Sequence, residues 1–161
     1  MTEEEYIHFE SSIHGLNYAR SILLEVRQQK GHALAAPAFQ FALVQYSKPY
    51  LMSFGAELDS KGKPKKHKIE NKHIPGNHRA LHDRLLKARN KILAHDDLDV
   101  KEAKLHVADT ASGKFVGVVQ NVIYGTEELS NLDAIIDLIE QTLNSLYAEW
   151  EIQKAALPVN S

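Results

Sequence analysis

The feature that most constrains this chain is the apolar stripe near its end. Leu132, Ile135, Ile136, Ile139, Leu143, Leu146, Tyr147 and Trp150 recur at three- and four-residue spacing. That is the period of an α-helix with one buried face. The spacing predicts a helix over 131–153. Ser130 is a good N-cap, and Asp133 falls in the first turn, where the helix dipole favours an anion. An apolar face of this length has to be covered, and other helices are the simplest cover.

Three earlier segments can supply that cover. The first runs from Glu3 to Lys30, with Thr2 and Glu5 forming a capping box and Gly31 as a stop. Its stripe is Tyr6, Phe9, Ile13, Leu16, Leu23 and Leu24. The second begins near Pro37, a favourable first-turn residue, and continues through Phe39, Leu43, Tyr46 and Tyr50. Pro49 should bend it, and Gly55 should end it. The third runs from Asn77 to His95, with Leu81, Leu85, Ala88 and Ile92 on its buried face.

Two connections stand out. Residues 56–76 are polar and broken by Gly62, Pro64 and Pro75, so they read as a long loop. This loop is basic: "KGKPKKHKIENKH" (61–73) holds six lysines and one glutamate. Residues 104–125 instead favour β-branched side chains around a "DTASGK" turn, which predicts a β-hairpin. The expected fold is mainly α: an antiparallel four-helix bundle with a β-hairpin inserted between helices three and four. At 161 residues, one domain over 1–161 is enough.

Composition removes several function classes. The chain has no cysteine, which excludes disulfides, thiolate metal sites and a cysteine nucleophile. The acidic start "MTEEEYIHFE" is not a signal peptide, and no apolar run is long enough for a membrane helix. A cytoplasmic protein without a membrane partner is expected. The net charge of −2 does not announce a nucleic-acid binder, yet the basic segment can meet a polyanion locally.

The third helix carries the chemistry. "ARNKILAHDD" (88–97) sets Arg89, Asn90 and His95 among apolar residues. At ~100° per residue, Arg89 lies about 80° to one side of the buried stripe and His95 about 40° to the other. Nearly two turns separate them, so within one straight helix they do not meet. A shared site needs an unwound helix end or a second copy of the chain. A histidine can move a proton near pH 7, and an arginine can hold a phosphate and the charge developing on it. RNA brings its own nucleophile, the 2′-OH. Ordinary roles compete with this one: His95 capping the helix end and Arg89 in a salt bridge.

"RNKILAH" resembles the motif of the HEPN superfamily, an arginine, a polar residue and a histidine after a short spacer. The fuller "RNKILAHDD" is similar to the signature of the branch linked to abortive phage infection. Five residues separate Arg89 from His95, one more than the commoner spacing. The resemblance implies a helical bundle, a homodimer whose two motifs face each other, and metal-independent endoribonuclease activity without a cofactor. It implies Arg89, Asn90 and His95 as the catalytic group. Possible partners are RNA, an antitoxin and a nucleotidyltransferase. Some members of the family are catalytically silent. The competing readings are therefore a non-catalytic module binding a nucleotide, RNA or protein, and a structural dimerisation bundle.

Other polar residues fit around that reading. Lys63, Lys65, Lys66 and Lys68 precede the motif helix and could contact RNA backbone, or form only a solvated loop. His78 and His82 have the spacing of a metal-chelating pair but no third ligand. They are expected to face solvent or RNA. Tyr46 and Tyr50 fit core packing better than base stacking.

Overall fold

A computed structural model describes residues 2–90, 104–119 and 126–155. Helix α1 spans Glu3–Gln28. The capping box forms: Glu5 N–H donates to Thr2 Oγ1 at 3.2 Å, and Thr2 N–H donates to the Glu5 carboxylate at 2.8 Å. The helix ends at Gln28 with Gln29 as cap, so Gly31 is not the stop. Its buried stripe is Phe9, Ser12, Ile13, Leu16, Ala19, Leu23 and Val26. Helix α2 spans Ala35–Ser47 and buries Phe39, Ala42, Leu43 and Tyr46. At Pro49 the backbone tightens into a 3-10 turn, Lys48–Tyr50, because proline cannot donate into an α-helical ladder.

Helix α3 spans Arg79–Ala88 and α4 spans Leu132–Ala155. Asn77 and His78 belong to a preceding 3-10 turn. Ile92 and His95, the far end of the expected third helix, lie outside the described residues. The last stripe is buried through Leu132, Ile135, Ile136, Ile139, Leu143 and Leu146, whereas Tyr147 is exposed and Trp150 only half-buried. Each such aliphatic side chain taken out of water contributes about 1.5–3 kcal/mol.

Polar pairs report the helix directions. Asn17 donates to Tyr147 Oη at 2.7 Å, Arg20 pairs with Glu140 at 2.6 Å and Arg27 with Asp133 at 3.5 Å. Residue numbers rise on α1 as they fall on α4, so the two are antiparallel. Gly15 facing the Gln45 carbonyl and Tyr18 edge-on to Phe41 make α1 and α2 antiparallel as well. His78–Asp137 at 2.7 Å and Arg84–Glu128 at 2.6 Å do the same for α3 and α4. The protein is therefore mainly helical, with four α-helices among the described residues. None of them is long and apolar enough to cross a membrane.

The expected loop at 56–76 is in part a β-hairpin. Strand β1 (Ser53–Leu58) pairs antiparallel with β2 (Pro64–His67), with Ser53 opposite His67 and an irregularity between Phe54 and Leu58. Asp59 closes the turn by accepting from the Lys61 and Lys63 amides at 2.8 and 2.9 Å, and Gly62 takes a φ of 70°. Past the strands the chain makes two 3-10 turns before α3. Gly55 lies inside β1 rather than ending α2.

The second hairpin falls where β-branched composition placed it. Strands β3 (Lys104–Thr110) and β4 (Gly113–Val119) pair antiparallel in continuous register, from Lys104 opposite Val119 to Thr110 opposite Gly113. Nearly every residue of it is exposed. Residues 120–125 lie outside the described residues.

Candidate functional site

Arg89 caps the C-terminus of α3. Its amide still donates to the Leu85 carbonyl, but at Arg89 and Asn90 the backbone passes into π geometry. Single π turns of this kind often accompany functional sites. The side chain is half-buried. Its guanidinium donates to Asn90 Oδ1 at 3.1 Å, while the Nε–H is buried without an acceptor among the described residues. The other four arginines are committed: Arg20, Arg27 and Arg84 to carboxylates, and Arg79 to the Asn71 carbonyl at 3.3 Å. Arg89 has no ion pair among the described residues. His95, its expected partner, lies outside them.

His82 on α3 and His78 in the turn before it part company. His82 does not face solvent: it is completely buried. Its Nδ1 and the Tyr46 hydroxyl share a hydrogen bond of 2.7 Å, and its ring meets Tyr50 edge-on at 4.6 Å. His82 follows Leu81 on the wheel closely enough for α2 to cover both, and the tyrosine hydroxyl makes the burial tolerable. Burial pushes the His82 pKa down and the Tyr46 and Tyr50 hydroxyls up, so this cluster stays neutral. His78 is largely covered too, held against Asp137.

The lysines divide as well. Lys63 sits in the hairpin turn, exposed. Lys65 turns inward and pairs with Glu57 at 2.7 Å, so it is not free for a backbone phosphate. Lys66 is exposed, 6.0 Å from the Phe54 ring, and Lys68 is exposed one residue beyond β2.

The structure also assembles a cluster whose members are dispersed in sequence. His8 on α1, His67 on β2 and His73 in the following turn line one open cleft of about 480 Å³. His67 is buried, with Nε2 3.1 Å from the Glu4 carboxylate and its ring 5.4 Å from that of His8. His73 is buried between Ser145 Oγ at 3.0 Å on Nδ1 and Glu149 at 3.3 Å on Nε2. Burial, and then the neighbouring His67, lowers the His8 pKa; burial lowers that of His73 against the pull of Glu149. Lys66, Lys68, Lys72, Phe9 and Ile69 complete much of the wall. Among the described residues no group of His, Asp and Glu side chains is arranged to hold a metal ion. One weak signal pointed to this cluster: His8 sits beside Phe9, at the inner edge of the α1 stripe.

The cleft and Arg89 lie at opposite ends of α4. Arg84 reaches Glu128, just before the helix begins, whereas Glu149 is near its end. At about 1.5 Å per residue the separation along the axis is some 25 Å. Comparison with family models, with curated proteins and with solved structures returns no match to this chain.

Proposed function

We propose that the chain is a HEPN-like, metal-independent endoribonuclease, built as a four-helix bundle and acting as a homodimer in toxin–antitoxin or phage-defence biology. The observation that carries this reading is Arg89. It caps the amphipathic helix α3 with donors that have no acceptor among the described residues, while every other arginine is already used. A buried N–H without an acceptor is costly, and an incoming phosphate oxygen removes the cost.

In this reading His95 takes the proton from a ribose 2′-OH. The oxygen attacks the adjacent phosphorus and the bond to the 5′ oxygen breaks. The products are a 2′,3′-cyclic phosphate and a 5′-hydroxyl, the leaving oxygen receiving a proton from an imidazolium. Arg89 binds the two non-bridging oxygens and stabilises the charge that grows on them. Asn90 holds the guanidinium through the bond at 3.1 Å. A second copy supplies the histidine that one helix cannot bring to its own arginine.

The test is cleavage of mixed RNA in excess EDTA by the parent, Arg89→Ala, His95→Ala and Arg84→Ala. Each of the first two substitutions should lower the rate by about 10²-fold or more. Arg84→Ala, which removes an exposed arginine already paired with Glu128, should keep it. Cleavage that persists in the first two variants would place the activity elsewhere. A parent that cleaves no RNA would move the chain to the non-catalytic class.

A further inference from the structure

The three-histidine cleft is not used by the proposed RNA site and stands about 25 Å from it along α4. Its charges can be accounted for pair by pair. Glu4 holds His67 and accepts from the Glu57 amide at 2.8 Å. Glu5 caps the α1 N-terminus. Glu149 holds His73, Lys72 and the Gln153 amide, and Glu70 also holds Lys72. Every carboxylate at the cleft is therefore engaged. Lys66, Lys68 and His8 form no ion pair with a carboxylate among the described residues, Lys66 feeling only the field of Asp59 in the hairpin turn.

We propose that this cleft binds a small phosphorylated ligand, its phosphate taken by Lys66, Lys68 and His8. A cationic ligand would have to break an existing pair, whereas an anion meets charge that is free. A phosphate monoester carries close to two negative charges, which two lysines balance. The volume of about 480 Å³ holds much more than a bare phosphate and falls in the range of pockets for small organic ligands. Phe9, Ile69 and the His8 ring, which sits 5.4 Å from that of His67, offer surface for an organic body of about nucleotide size. The inference does not rest on RNA cleavage at Arg89.

The test follows the His8 imidazole of the full chain by NMR as pH is varied. The probes are inorganic phosphate, 5′-AMP, adenosine and sodium chloride at matched ionic strength. Phosphate and 5′-AMP should raise the pH at which His8 protonates, with 5′-AMP effective at the lower concentration. Adenosine and sodium chloride should leave it in place, and exposed His106 should not respond to any probe. A Lys66→Gln/Lys68→Gln variant should lose at least tenfold in affinity for 5′-AMP. Lys61→Gln/Lys63→Gln, in the turn of the same hairpin, should bind as the parent does. An unresponsive His8, an equal response to sodium chloride, or equal losses in the two double variants would overturn the proposal. Both lysine pairs are exposed, so melting curves matching the parent's accompany a valid comparison.

Discussion

The two hairpins invert what their compositions suggest. The lysine-rich one is docked on the helices, and the valine-rich one is exposed. In the second, Leu105, Val107, Val116 and Val118 share one face and are each more than half exposed. Docking of the first depends instead on polar anchors. Ser53 to the His67 carbonyl and Glu57 to Lys65 tie the two strands to each other, and Glu4 reaches from α1 to both His67 and the Glu57 amide, which holds the hairpin on the helix. Gly55 makes room, since a Cβ there would overlap the Glu4 carboxylate. Just past the strands, Ile69 is buried and its amide donates to the Pro49 carbonyl at 2.7 Å. A strand can thus be held by a few satisfied hydrogen bonds and one apolar plug while its apolar residues, Phe54 and Leu58, point outward.

The comparison breaks most easily at the plug. Ile69→Ala should cost about 2–5 kcal/mol in urea unfolding, as a cavity in packed core does. A cost near zero would show that the hairpin is not docked. Next is the polar anchor. Glu4→Ala strands the buried His67 ring and the Glu57 amide and should cost about 1–3 kcal/mol. Gly55→Ala, which displaces the same carboxylate, should lose a similar amount, and the double variant should cost little more than either single.

Acid should act on the docked side with a smaller effect. His8 and His73 at the cleft, and His82 packed against Tyr46 and Tyr50, have pKa values below the ordinary 6.5 because burial disfavours their charged forms. Below that pH the unfolded chain binds more protons than the folded one. Their stability contribution is therefore whole above about pH 6.5 and is lost as pH falls toward the folded values. Urea midpoints measured from pH 7.5 down to 5.5 should decline. The smallest effect belongs to the exposed hairpin. Val107→Thr and Val116→Thr should each change stability by less than about 0.5 kcal/mol. A concentration-dependent loss well above that would mean the valine face is covered by a second copy in solution.

Helical periodicity made much of this legible. The stripes on α1, α2 and α4, the Thr2–Glu5 box and the β-branched hairpin all follow from local chemistry that acts within a few residues. The docked hairpin did not. Its alternation runs backwards, with Ser53, Gly55 and Glu57 facing in and Phe54, Ala56 and Leu58 facing out, so no hydrophobic pattern marks it. His82 was misplaced because a single wheel cannot show that α2 supplies a tyrosine hydroxyl. Arg89 and Asn90 were singled out by a local motif, and the structure places them side by side at the end of α3. The histidine cleft was not legible, because residues 8, 67, 73 and 149 meet only through tertiary packing.

One consequence concerns light. Trp150 is the chain's single tryptophan. It is half-buried, one residue beyond Glu149, with the Lys154 ammonium 4.7 Å from its ring centroid. Its emission is therefore a reporter placed by the fold itself beside the cleft and far from Arg89. An anion entering the cleft should shift its intensity or wavelength, while events at the other end of α4 should leave the spectrum alone. One cuvette can then tell the two ends of the molecule apart.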